Sequence, residues 1–157
     1  MNPQMQRIRG PEPTRAAASP TFVVQLSSTR RGARLVRLLA TQWLDERALS
    51  YRSTTSHTAA LIVAELAANA VRHCGSIGRD FRLHLTLRES APGRVLRVEV
   101  TDARADKPLP PGTPRLPGDE EETGRGLLLV DALADRWGQY GNDAIAKTLW
   151  AELDLPV

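Results

Sequence analysis

Three polar side chains on one predicted helix limit most strongly how this chain can fold. Residues 58–66 are rich in Ala, Leu, Ile and Val and are predicted to be helical. Glu65, Asn69 and His73 are spaced four residues apart, so on a helix they share nearly one face. The row lies beside an apolar stripe, where polar groups are costly to bury without partners. It is either the solvated edge of an ordinary helix or a site for a metal ion with phosphate.

A predicted strand ends in a carboxylate. Leu96, Val98 and Val100 alternate with polar residues, which is typical of a half-buried strand. Asp102 continues the parity of the apolar face, where a carboxylate needs a donor. The exocyclic amine of a nucleobase would supply that donor. The alternative is an aspartate that starts a turn.

Two glycines, Gly124 and Gly126, directly precede an apolar run that is predicted to be a helix from about Leu127 to Asp135. Glycine lets the backbone approach a ligand closely, and the N–H groups at a helix N-terminus favour an anion. This signal is weak by itself. The third glycine of a dinucleotide fingerprint is missing, and the sequence has no Gly-Lys-Ser/Thr phosphate loop.

The remaining elements complete an α/β fold. They begin with a strand at 21–26, which is followed by a helix from a cap at Ser28 or Thr29 to about Asp45 and a helix from about Thr55 to His73. A hairpin comes next; its turn is 91–93, and its second strand ends at Asp102. The last strand is at 146–153, with Thr148 and Trp150 on one face. We expect a two-layer α/β sandwich with a mixed, mostly antiparallel sheet and helices on one face.

Proline-rich segments flank and interrupt the predicted domain. Residues 1–20 contain four prolines and no apolar periodicity, which predicts a disordered tail. Residues 21–157 are expected to form a single domain. Within it, residues 103–123 hold five prolines and an acidic run. Loops of this length are usually lids or linkers, and the position between Asp102 and the glycine pair predicts a lid over a nucleotide.

Positive charge is concentrated near one end of the chain. Residues 1–37 contain seven arginines and one glutamate, whereas the remainder has 14 basic and 17 acidic side chains. The first helix carries the polar residues Arg30, Arg31, Arg34 and Arg37 and the apolar residues Leu35, Leu38, Leu39 and Trp43. Its arginine face is either solvated or a docking surface for an acidic protein partner. Nucleic-acid binding is less favoured, because aromatic residues are scarce and no basic recognition helix is visible.

Composition excludes several classes of protein. No apolar run reaches the length of a membrane span, and the N-terminus lacks the apolar core of a signal peptide. The single cysteine, Cys74, excludes an internal disulfide. These features are typical of a cytoplasmic bacterial protein, with no membrane contact expected.

The order of the four motif segments resembles the N, D, glycine-rich and final boxes of the GHKL (histidine-kinase-like, or Bergerat) ATP-binding fold. The small bacterial anti-sigma factor serine/threonine kinases are the most similar group, with boxes like ELAANAVRH, VEVTDAR, GRGLLLVDALADRWG and AKTLWAEL. The resemblance spans roughly residues 22–154. Two positions depart from it, since Ala105 and Ala146 stand where the family usually has glycine.

The resemblance implies ATP and Mg²⁺ as ligands. It implies that Asn69 binds Mg²⁺, that Asp102 accepts from the adenine amine and that Glu65 is the catalytic base. The further nucleotide contacts that it implies are Arg72, His73, Gly124, Arg125, Gly126, the backbone N–H of Leu127, and Thr148 on the adenine side.

The function implied is that of an anti-sigma factor type serine/threonine protein kinase that phosphorylates an antagonist protein. Its partners would be a sigma factor, an anti-sigma-factor antagonist protein or both, and a homodimer is compatible with this. One alternative is a non-catalytic protein whose partner binding is gated by nucleotide. A nucleic-acid-binding regulator is less favoured, and no direct nucleic-acid contact is expected.

Overall fold

The computed structural model describes residues 18–74, 78–102, 121–141 and 146–157. Its elements are β1 (Thr21–Ser27), α1 (Arg30–Asp45), α2 (Thr54–Cys74), β2 (Asp80–Ser90), β3 (Gly93–Asp102), α3 (Glu121–Leu133), β4 (Arg136–Gly141) and β5 (Lys147–Leu155). Most of the predicted tail, and the predicted lid up to residue 120, lie outside the described residues, so both stay predictions.

The strands form one five-stranded sheet in the order β1-β2-β3-β5-β4. Each pairing between neighbouring strands is antiparallel, so the α/β sandwich is confirmed and its described sheet is antiparallel rather than mixed. The predicted hairpin is β2–β3, with Ser90 paired to Gly93. Glycine is required there, because a Cβ on Gly93 would lie 2.1 Å from the carbonyl oxygen of Leu155.

The two faces of the sheet differ. Strand alternation places one set of apolar residues under the helices, and all of them are buried: Phe81, Leu83, Leu85, Leu87, Leu96, Val98, Val100, Leu149, Ala151 and Leu153. Helix α2 packs across β2, β3 and β5, while α1 and α3 pack beside it and against the edge strands β1 and β4. We call this side the helix face and the opposite side the open face.

The rotation of α1 differs from the sequence prediction. The cap is confirmed, since the Thr29 hydroxyl accepts from the backbone N–H of Gly32. Leu35 is 41% and Leu38 54% exposed, however, so the predicted apolar face is wrong at both positions. A Cβ on Gly32 would lie 2.1 Å from the carbonyl oxygen of Ser27, so the helix turns its glycine toward the end of β1. The buried residues are Gly32, Val36, Ala40, Trp43 and Leu44.

Helix α3 begins at Glu121 rather than at about Leu127. The glycine pair therefore lies inside the helix and not before it, and the prediction of this boundary is wrong. The two glycines lower the helix propensity of this segment by about 1 kcal/mol each. Of the pair, only Gly124 is among the first four residues, whose N–H groups have no acceptor within the helix.

Candidate nucleotide site

The predicted polar row lies on one helix, and its middle member is buried. Helix α2 carries Glu65, Asn69 and His73 at the predicted spacing. Asn69 is 2% exposed, and neither polar atom of its side chain has a hydrogen-bond partner among the described residues. A buried polar group without a partner costs about 1–3 kcal/mol. The chemistry of this amide therefore fits a bound group, and its oxygen is a ligand type that Mg²⁺ accepts.

Glu65 lies one turn before Asn69 on the same helix and is half-buried. Its side chain makes no hydrogen bond or ion pair with any other described residue. A carboxylate in this position is available to a ligand or to an attacking hydroxyl, since no described cation neutralises it.

Three elements meet at the ammonium group of Lys147. Asp102, the last residue of β3, pairs in register with Lys147, the first residue of β5. The Nζ atom of Lys147 lies 3.8 Å from Oδ2 of Asp102, and both side chains are 3% exposed. The same Nζ atom lies 3.1 Å from Nδ1 of His73 on α2. The fold therefore brings the predicted residues His73 and Asp102 together through Lys147.

Lys147 is a site residue that the sequence analysis missed. Lysine is almost never buried to this extent unless it is paired, and here both partners belong to the predicted site. An ammonium group has donors only, so in this contact Nζ of Lys147 donates and Nδ1 of His73 accepts. The alternation of the last strand could have revealed this residue. Lys147 lies on the same apolar face of β5 as Leu149, and Asp102 lies on the apolar face of β3.

Thr148 is placed on the open face of the sheet. Successive side chains of a strand point to opposite faces, so Thr148 points away from the side that holds Lys147 and Asp102. Its hydroxyl lies 2.8 Å from the hydroxyl of Thr101, its register partner. The residue that faces Asp102 from the last strand is Lys147.

The other predicted contacts are distributed around α2 and α3. Arg72 is exposed in the last turn of α2. Leu127 is buried on α3, which packs against α2. Gly124, Arg125 and Gly126 lie within α3. The side chains of residues 121–126 are outside the described part of the structure, so the phosphate contacts of these three residues stay predictions.

The described residues contain neither a cluster of metal-binding side chains nor a helix that could cross a membrane. No group of three or more His, Cys, Asp and Glu side chains that could hold a metal ion occurs among the described residues. Mg²⁺ commonly takes only one or two protein ligands and completes its shell with phosphate and water oxygens. None of the described helices is both long enough and apolar enough to cross a membrane.

The sequence matches the histidine kinase-like ATPase domain family over residues 26–151. A chain of the SiaB–SiaC complex from Pseudomonas aeruginosa has a similar structure, with a TM-score of 0.54 and 12% sequence identity. The similarity covers 83% of this chain and 89% of that chain. At this identity it shows the shared fold alone. No curated protein matches the sequence.

Proposed function

This chain belongs to the histidine kinase-like ATPase domain family, and on that premise we propose that it is an ATP-dependent regulatory serine/threonine kinase. Its substrate would be an anti-sigma-factor antagonist protein, and it would also bind a sigma factor. The observation that carries the proposal is Asn69, a buried amide without a hydrogen-bond partner among the described residues. It lies between Glu65 and His73 on α2, and His73 contacts Lys147 of the Asp102–Lys147 pair.

The proposed nucleotide contacts divide into those made to the adenine base and those made to the phosphates. Asp102 accepts from the adenine amine, and the neighbouring Lys147 keeps a positive charge beside that carboxylate. The side-chain oxygen of Asn69 would hold Mg²⁺. When bound, that ion neutralises charge on the transferring phosphate. Arg72, His73 and the first residues of α3 are the proposed phosphate contacts.

Glu65 is the proposed general base. It is separated from Asn69 by one helical turn, a rise of roughly 6 Å, so it would be within reach of a hydroxyl that attacks a phosphate held near Asn69. It accepts the proton of the attacking serine or threonine as the new oxygen–phosphorus bond forms and ADP leaves. General-base help of this kind contributes roughly 10²–10⁴-fold to the rate.

The exposed side of α1 is the surface that we propose for the partner protein. Leu35 and Leu38 are exposed there, on a helix that carries four arginines and has no acidic residue in its first turn. Arg30 and Arg31 lie at the positive end of the helix, where cations are unfavourable. No described residue forms an ion pair with either of them. This arrangement favours an acidic partner with apolar side chains.

The test is transfer of the terminal phosphate of labelled ATP to candidate antagonist proteins, in the presence of Mg²⁺. We expect transfer by the wild type and none without Mg²⁺. Asn69→Asp would keep a metal ligand, whereas Asn69→Leu removes it and should abolish transfer.

If the wild type binds ATP but transfers phosphate to no antagonist, the kinase proposal fails. The second candidate function, a nucleotide-gated partner-binding protein, would then be favoured by the exposed leucines of α1. Partner affinity measured with ADP, with ATP and without nucleotide would test it. Equal affinity in all three conditions would exclude it.

A further inference from the structure

A cleft of about 650 Å³ opens at the end of the sheet where the β2–β3 hairpin meets the last residues of β5. Three arginines line it, Arg88, Arg94 and Arg136, together with apolar residues that include Pro92, Val95 and Leu155. Val95 and Leu155 are buried, whereas the side chain of Arg88 is 47% exposed. The volume lies within the range of ligand clefts, about 300–1,000 Å³.

One carboxylate organises the charged side of this cleft. Glu152 is buried on the open face, and its Oε1 atom accepts from Arg88 at 3.1 Å and from Arg97 at 3.0 Å. Its Oε2 atom accepts from Nε of Arg136 at 2.9 Å. Burial would raise the pKa of Glu152, but the hydrogen bonds from Arg136 and Arg97 outweigh burial and lower it. The carboxylate therefore stays ionised and holds the arginines in place.

Arg136 is fixed still more firmly than the other two arginines of the cleft. Its guanidinium also donates to both carboxylate oxygens of Asp154. The hydrogen bonds to Asp154 and then to Glu152 raise the pKa of Arg136. A guanidinium held by two carboxylates is pre-organised, so little side-chain entropy is lost when a ligand arrives.

The cleft keeps an excess of positive charge. Its lining contains three arginines and one carboxylate, Asp154, and Glu152 pairs with two of these arginines, so three guanidinium groups face two carboxylates and the net charge is +1. Arg94 forms no ion pair with any other described residue. Arg88 engages Glu152 through Nη2, so its other nitrogen donors remain for a ligand. These two guanidinium groups provide forked donors, which match the geometry of carboxylates.

We propose that this cleft binds an acidic peptide segment of a partner protein, with carboxylates on Arg88 and Arg94, which reach the cleft from opposite faces of the hairpin, and an apolar side chain against the exposed ring of Pro92. The lining favours a peptide over nucleic acid. Asp154 repels a continuous phosphate backbone, and the cleft offers no aromatic side chain on which a base could stack.

The cleft is separate from the proposed nucleotide site. Arg94 and Asp102 are eight residues apart on β3, a distance of roughly 26 Å along a strand. The nucleotide site lies on the helix face, whereas Arg88, Val95 and Glu152 belong to the open face. Arg94 and Leu155 have the parity of the helix face but lie at the opposite end of the sheet from Asp102. The proposal therefore does not depend on ATP binding or on phosphate transfer.

The experiment measures fluorescence anisotropy of a labelled peptide in which glutamate and leucine alternate. The control peptide has glutamine in place of glutamate. We expect the acidic peptide to bind the wild-type protein at low salt, the control peptide to bind at least tenfold more weakly, and added salt to reduce the difference. Equal binding of the two peptides, or no binding at millimolar peptide, would overturn the proposal.

Two variants locate the bound peptide. Arg94→Gln removes a guanidinium that has no ion pair among the described residues, so it should weaken the acidic peptide at least fivefold with no change in melting temperature. Arg52→Gln is the matched control, since Arg52 is an exposed arginine in the connection between α1 and α2, and it should bind like the wild type.

If Arg94→Gln binds normally, the peptide lies elsewhere and the assignment is wrong. The assignment is also wrong if a single-stranded oligonucleotide displaces the peptide from the wild type and loses affinity in Arg94→Gln, because the cleft would then be a nucleic-acid site.

Discussion

The side-chain nitrogen of Lys147 lies 3.1 Å from Nδ1 of His73, although 74 positions separate the two residues. This contact joins the last turn of α2 to the first residue of β5. The same ammonium group lies beside Asp102 at the end of β3. His73 and Asp102, which are both proposed to contact the nucleotide, are thus linked through Lys147, a residue for which the sequence motifs predicted no role.

We expect Lys147→Met to lower the free energy of unfolding by about 1–3 kcal/mol, because Asp102 and His73 would lose their contacts with this buried ammonium group. Urea denaturation at neutral pH measures the change. In the double variant with Asp102→Asn, the loss should be smaller than the sum of the two single losses. Additive losses would show that the two side chains do not interact.

Asn69→Leu should abolish Mg²⁺-dependent ATP binding and leave the nucleotide-free protein as stable as the wild type or more so. Leucine has a similar size, and the amide that it replaces has no partner among the described residues. A gain of about 1 kcal/mol would raise the melting temperature by roughly 2–4 °C. Calorimetric titration and thermal denaturation give the two readouts. A large loss of stability would mean that the amide has an internal partner.

Glu65→Gln should keep nearly the wild-type affinity for ATP, because the amide has almost the same shape as the carboxylate. It should reduce phosphate transfer on the order of 10²-fold or more, since glutamine accepts no proton. Single-turnover transfer to the same antagonist protein compares the two proteins. Similar rates would remove Glu65 from the reaction.

Glu152→Gln should destabilise the protein by about 1.5–3 kcal/mol at pH 7, the contribution of a hydrogen bond to a charged group. The pKa of Glu152 is lower in the folded protein than its ordinary value of 4.5. The ionised carboxylate therefore contributes its full stabilisation above pH 4.5, the pKa of glutamate in the unfolded chain. This contribution is lost as the pH falls through the lower pKa of Glu152 in the folded protein. Denaturation of wild type and variant from pH 7 to pH 3 should give converging stabilities. A constant difference would show that ionisation of Glu152 is not the cause.

Within single elements, the sequence predicted the structure well. The spacing of Glu65, Asn69 and His73 placed them on one face of α2, and alternation before Asp102 predicted β3 with its carboxylate on the buried side. Such patterns are local, because periodicity records which side of one helix or strand faces the core. The motifs in their order also predicted the family, which the match over residues 26–151 confirms.

The sequence by itself thus determined the family, most of the elements and the buried sides of α2 and β3, whereas tertiary structure decided the rotation of α1, the start of α3 and how the elements meet. The register of β3 and β5 places Lys147 opposite Asp102, and the pairing of β2, β3, β5 and β4 gathers three arginines around Glu152. The close approach of Gly32 to Ser27 sets the rotation of α1 and exposes its leucines. These relationships depend on packing between residues far apart in the chain. No local period of a single helix or strand carries that information.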